Sequence, residues 1–171
     1  MHDPAGSSRL TRRRFVQLLA ALTGGMPMAR PNAQDSGSGG VSLMLSGDVM
    51  LGRAIDQVMP RSVDPRLYEP YLTDARQYIE LAEARNGPIP RQVDPSYVWG
   101  DALDGLQLFS ADVRIVNLEN AITANGAPWP GKHIHYRMHP ANVDVLQAER
   151  IDCCVLANNH VLDWGREGLA N

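Results

Sequence analysis

The stretch that decides the fold is Asp152-Cys153-Cys154-Val155-Leu156-Ala157-Asn158-Asn159-His160-Val161-Leu162-Asp163-Trp164-Gly165. An apolar run, Cys153 to Ala157, stops abruptly at Asn158-Asn159-His160. Small and β-branched residues in an unbroken run suit a strand covered on both faces. The polar residues then fall at its C-terminal end, where ligands and catalytic groups collect in open α/β sheets. Asn offers a carbonyl oxygen, His an imidazole nitrogen and Asp163 a carboxylate, a set suited to a divalent metal or to the oxygens of a phosphate-like ester. Asn and His also cap helices after strands. What favours a site over a cap is that the pattern recurs.

Val41-Ser42-Leu43-Met44-Leu45-Ser46 reads as a strand ending at Gly47-Asp48, and Val113-Arg114-Ile115-Val116 as a second ending at Asn117-Leu118-Glu119-Asn120. Between them, Ala54 to Met59 continue as a helix, and Pro60 to Pro70 form an irregular loop. Tyr71, Leu72, Ala75, Tyr78, Ile79 and Ala82 then recur at helical spacing over Tyr71 to Arg85. Asn86-Gly87-Pro88 stops that helix, and Asp94-Pro95-Ser96 opens another with Val98, Trp99, Ala102, Leu103, Leu106 and Phe109 as its core set. His133 to Met138 suits a short edge strand, and Pro140 to Arg150 a helix leading into the decisive strand. This strand-helix-strand alternation implies a parallel sheet with helices on its faces. Parallel strands bring Asp48, then Asn117 and Glu119, then Asn159, His160 and Asp163 to one edge. Those hard oxygen donors plus one imidazole favour Mn, Mg, Fe or Zn.

Charge is unevenly spread. The chain has 171 residues, with fifteen arginines and a single lysine, Lys132. Five arginines lie in the first thirty residues against one acid, Asp3, whereas residues from 31 onward carry eleven basic and eighteen acidic side chains, a net charge of -7. Such a body is not drawn to nucleic acid by bulk charge. Thr11-Arg12-Arg13-Arg14-Phe15 before the apolar stretch Leu18 to Ala29 reads as an export signal of the twin-arginine type over residues 1–33. The stretch is short for a membrane span. If uncleaved it would act as a membrane tether. Residues 34–40 form a flexible linker, and the domain occupies 41–171. The expected location is periplasmic or extracellular.

Three motifs resemble the poly-gamma-glutamate capsule biosynthesis (CapA) family of the calcineurin-like metallophosphatase superfamily. They are Gly47-Asp48-Val49-Met50-Leu51-Gly52-Arg53, then Asn117-Leu118-Glu119, then Ala157-Asn158-Asn159-His160-Val161-Leu162-Asp163-Trp164-Gly165. The resemblance implies a β-sandwich flanked by helices (αββα), of which only the N-terminal half is expected here. It implies Asp48 and Asn159 as metal ligands, with Glu119 or Asn117 binding or bridging. His160, with Asp163, would stand at the substrate as proton donor or charge stabiliser, and Arg53 would contact an anionic group. The implied role is synthesis, export or anchoring of an anionic cell-surface polymer, alone or with its synthase complex. Metal-assisted phosphoester hydrolysis is one form of that role, and a non-catalytic polymer-binding or synthase-accessory protein is the other. Met50 stands where active phosphatases of the superfamily carry His, and thioether sulfur is a poor ligand for a hard cation. The family pattern also continues beyond the matched segment, so the piece is expected to expose an apolar sheet face and to hold an incomplete metal shell.

The remaining candidates read as structural. His133, His135 and His139 lack a further ligand nearby and suit packing. Cys153 and Cys154 are adjacent, which disulfide geometry disfavours, and read as buried thiols. Trp99, Trp129 and Trp164 suit core packing or loop anchoring. No Gly-x-Ser-x-Gly elbow is present, which argues against a serine α/β hydrolase.

Overall fold

The computed structural model describes residues 40–107 and 110–171. The signal assigned to 1–33 and the linker at 34–40, Gly40 apart, lie outside the described residues, as does Phe109. Three strands form one sheet: β1 (Leu43–Val49), β2 (Val113–Leu118) and β5 (Cys153–Val155), in the order β1-β2-β5 and all parallel. A second, two-stranded parallel ribbon pairs β3 (Ala121–Ile122) with β4 (Arg137–Met138). The helices are α1 (Ala54–Val58), α2 (Arg76–Asn86), α3 (Ala102–Gln107), α4 (Asp144–Ala148) and α5 (Gly165–Ala170). The chain is therefore mixed α/β with parallel pairing, as the alternation implied. Among the described residues no helix is long and apolar enough to cross a membrane.

Several boundaries differ from the sequence reading. β1 does not stop at Gly47; it runs through Asp48 to Val49, with a bulge in its pairing between Ser46 and Asp48. The bulge seats Asp48 directly beside Asn117. The helix expected from Tyr71 begins only at Arg76, because the Asp74 carboxylate accepts the Arg76 N–H at 2.8 Å and binds its guanidinium. The helix expected after Asp94 is a 3-10 turn at Tyr97–Trp99, broken from α3 at Gly100, whose φ is +51°. The edge strand at His133–Met138 shrinks to Arg137–Met138.

β2 alternates strictly: Arg114, Val116 and Leu118 are buried and their neighbours only half-buried. The buried face packs on a core of Leu51, Val58, Met59, Ile79, Val93, Leu118, Met138, Val145 and Leu146. Arg114 survives there because Glu149, at 3.0 Å, is its partner, and the Glu149 carbonyl accepts a second bond at 2.6 Å. Among the described residues nothing covers the opposite face. Leu43 and Leu45 are 58% and 71% exposed, and the register continues that face through Ile115 to Cys153. The decisive strand is thus covered on one face, not two. Cys153 is exposed and Cys154 half-buried, so neither is the fully buried thiol expected. Parallel sheets are ordinarily covered on both faces.

Two close approaches fix how the chain leaves β1. Gly52 is so tightly packed that a Cβ there would sit 2.8 Å from the Arg137 backbone nitrogen and oxygen. Asp56, fully buried, accepts the N–H groups of His139 (2.7 Å) and Val63 (2.8 Å) and the side-chain amides of Asn142 and Gln57. It ties α1, the following loop and the segment before α4 together. Replacing Asp56 by Ala strands two backbone donors and removes one of the two bonds of the buried Asn142 amide, which keeps the Arg61 carbonyl, and each such lost partner costs about 1–3 kcal/mol. Urea unfolding of Asp56→Ala is expected to show a loss of at least about 3 kcal/mol; a loss under about 1 kcal/mol would contradict this role.

Candidate functional site at the strand ends

The parallel register delivers the expected residues to one rim, but as linked pairs. At the β1–β2 ends, the Asn117 amide donates to Asp48 Oδ1 at 2.6 Å. The Asn158 amide in turn donates to Asn117 Oδ1 and to the Leu118 carbonyl, both at 2.9 Å. Asp48 and Asn159 are exposed, while Asn117 and Glu119 are half-buried. Asn117 and Glu119 stand two residues apart and therefore project from the same side of the chain. Glu119 Oε1 lies 3.7 Å from His160 Nε2.

His160 is buried, and Asp163, three residues on, is only 1% exposed. The His160 Nδ1 lies 2.7 Å from Asp163 Oδ2. A carboxylate only accepts, so this contact is made by a hydrogen on Nδ1; Lys132 Nζ also lies 3.3 Å from that nitrogen, and Nε2 faces Glu119. The Tyr136 N–H donates to the same carboxylate at 2.6 Å, and the Tyr136 ring stacks on the imidazole at 4.1 Å with 23° between planes. Lys132 forms an ion pair with the other Asp163 oxygen and donates to the Asn159 carbonyl at 2.5 Å. The turn Asn158–Asp163 is further set by the His160 N–H donating to Asn158 Oδ1 at 2.9 Å.

Arg53 is held away from solvent. Its guanidinium pairs with the buried Glu69 and donates to the Tyr78 hydroxyl at 3.0 Å, while that hydroxyl donates to Glu69 at 2.7 Å. The same guanidinium lies over the Tyr136 ring, 5.3 Å from its centroid. Its backbone has φ 55° and ψ -126°, a region costing a non-glycine residue of order 1–3 kcal/mol and often found at functional sites.

Sequence reasoning placed Asp48, Asn117, Glu119, His160 and Asp163 at this edge, and the register brings them there. It did not single out three participants. Asn158, not Asn159, reaches Asn117, and the Asn159 side chain makes no hydrogen bond among the described residues. Tyr136 offered no sequence signal. Lys132 did, as the one lysine beside fifteen arginines. His135 is buried and donates from Nε2 to the Trp129 carbonyl at 3.1 Å, whereas His139 caps the turn at Pro140–Asn142; the three histidines form no cluster.

A divalent cation needs several donors aimed at one point. The donor chemistry at the rim is right in kind. Among the described residues no group of three or more His, Cys, Asp and Glu side chains is arranged to hold an ion; the expected set counts two asparagines, Asn117 and Asn159, beside Asp48 and Glu119.

A parallel α/β sheet with a polar rim at its strand ends defines the class. Within it, the chain belongs to the bacterial capsule synthesis protein family PGA_cap, whose model matches residues 42–171, as the three motifs anticipated. Two relatives from Mycobacterium tuberculosis, in strains CDC 1551 / Oshkosh and ATCC 25618 / H37Rv, are each described as a probable polyglutamine synthesis accessory protein. Each is 49% identical over 131 residues, which is 77% of this chain and 34% of the relative. The chain thus spans about a third of the length of these relatives.

Lys132 supplies the charge that offsets the buried Asp163. Removing one partner of a buried pair leaves an uncompensated charge and costs about 3–5 kcal/mol. Lys132→Met is expected near the lower end of that range, since His160 and Tyr136 still contact the carboxylate. A thermal melt showing no loss of stability would overturn the assignment.

Proposed function

We propose that this chain acts in the synthesis of an anionic cell-surface polymer of the glutamate type, as an accessory component that engages the polymer or its synthase at the strand-end rim. The observation behind this reading is the rim itself, with Asp48, Asn117, Glu119 and His160 along one edge, in a chain of the capsule-synthesis family. The relatives' description as accessory proteins supports it. Asn117 and Asn158 offer amide donors and acceptors, and His160 its Nε2. These groups suit the amide backbone of such a polymer.

The finer reading is metal-assisted hydrolysis of a phosphoester. It would use Mn, Fe, Zn or Mg on Asp48, Asn117, Glu119 and Asn159, with His160 and Asp163 at the substrate. The His160–Asp163 contact favours it, because it presents Nε2 toward the rim. Met50 and the pairwise arrangement of the donors weigh against it. A complete αββα sandwich belongs to the same set of proposals: the bare face of Leu43, Leu45 and Ile115 is where a second sheet would pack. Export and a membrane tether through the N-terminus are proposed from the sequence alone.

Binding of poly-gamma-glutamate by biolayer interferometry tests the accessory reading, with dextran sulfate as an equally anionic control. Saturable binding to the first, weakened several-fold in the Asn117→Ala, His160→Ala double variant, is expected. Equal binding to both polymers would overturn it. So would Mn-dependent phosphodiester hydrolysis abolished by Asp48→Ala with His160→Ala, in favour of the hydrolase. Calorimetric titration of the 171-residue chain with Mn is expected to show no stoichiometric sub-micromolar binding.

A further inference from the structure

A polymer of carboxylates meets an unfavourable body here, since residues from 31 onward carry a net charge of -7 and the rim adds Asp48 and Glu119. Attraction has to be local. One place supplies it, behind the rim: a small cavity of about 20 Å³ lined by Arg53, Arg66, His135, Arg137 and Trp164, with Asp64 as the one carboxylate among its lining residues.

Four of these residues leave buried nitrogens without a partner among the described residues: Arg53 Nε, Arg137 Nε, Trp164 Nε1 and His135 Nδ1. His135 and Trp164 are each only 6% exposed. A native fold rarely leaves even one buried donor unpaired; here three, Arg53 Nε, Arg137 Nε and Trp164 Nε1, belong to a single cavity, while His135, which donates from Nε2 to Trp129, leaves Nδ1 as an acceptor. Arg137 has no ion-pair partner among the described residues; its guanidinium lies over the Trp164 ring, 3.5 Å from the centroid. Asp64 and the buried Asp56 act on it only at a distance, and burial pushes the guanidinium below the ordinary arginine range. Arg53 spends its charge on Glu69. Arg66 is exposed. Its backbone N–H, not its guanidinium, donates to Asp64, at 3.0 Å.

We propose that this cavity is a carboxylate-binding site, in which one carboxylate oxygen takes the donors of Arg137 and Trp164 and the charge of Arg137 and Arg66 offsets that of the ligand. The volume admits one oxygen-sized atom, which fits a carboxylate tip and excludes a phosphate group from full entry. Arg is the residue suited to planar oxyanions. The choice of a polymer carboxylate as occupant rests on the function proposed above; the carboxylate chemistry does not. Arg53 links the two places, since it lines this cavity and lies over Tyr136, which stacks on His160.

The test follows the Trp164 indole resonance, assigned with Trp164→Phe, in ¹⁵N-labelled 171-residue chain during titration with sodium acetate, against sodium chloride at equal ionic strength. A saturable shift with acetate and none with chloride is expected, with affinity weakened about tenfold or more in Arg137→Met. No saturable response to acetate in folded wild type would mean the cavity holds only water and overturns the proposal. An equal response to chloride, or unchanged affinity in Arg137→Met, overturns it as well. If Arg137→Met fails to fold, Arg137→Lys decides: several-fold weaker acetate binding supports the site, and unchanged binding sinks it. A gamma-linked glutamate oligomer competing with acetate supports polymer occupancy. Acetate binding without competition would leave the carboxylate site standing and contradict the polymer reading.

Discussion

The arrangement depends on one buried carboxylate. Asp163 gathers Lys132 and the Tyr136 N–H from the segment before β4 and the His160 Nδ1–H from its own turn. A charge so enclosed is tolerable only when its lone pairs are filled. Meeting that demand fixes the loop before β4, the approach to β4 and the turn after β5 relative to one another. It also fixes which imidazole nitrogen faces the rim. The single lysine of the chain stands at this point, so the residue that neutralises Asp163 also holds the Asn159 carbonyl in place.

The second constraint is parallel pairing in register. Asp48 beside Asn117, and Asn117 beside Val155, means that residues far apart in sequence reach the same edge without a dedicated loop for each. The bulge in β1 makes the first of these pairs, and the tight contact of Gly52 with Arg137 sets the turn that follows. Arg53, in an unfavourable backbone conformation next to that glycine, is held by Glu69 and Tyr78. Its guanidinium sits between the rim and the cationic cavity. The sheet itself is asymmetric in its energetics: one face is packed on the aliphatic core and the other presents Leu43 and Leu45 to solvent.

Much of this was legible from pattern. The apolar runs ending in Gly-Asp, Asn-Leu-Glu and Asn-Asn-His located the strands and their polar ends, because strand termination and ligand placement leave the same mark in sequence. Boundaries were less legible. Tyr71 to Asp74 share the apolar spacing of a helix, yet the Asp74 side chain captures Arg76 and starts α2 later. Coverage of β5 on both faces was inferred from its apolar run, but an apolar run reports what a strand could bury and not what packs on it. Asn158 was passed over for Asn159 because adjacent identical residues differ only in the turn geometry that aims them. Tyr136 and the orphaned nitrogens of His135, Arg137 and Trp164 depend on long-range packing, for which no local periodicity exists.

The account stands or falls on how Asp163 holds His160. Long-range proton–nitrogen correlation spectra of the ¹⁵N-histidine-labelled chain read the imidazole directly. They are expected to show His160 with a hydrogen held on Nδ1, a state lost in Asp163→Asn. An Nδ1 without its hydrogen in the wild-type chain, or a ring averaging between both forms, would contradict it.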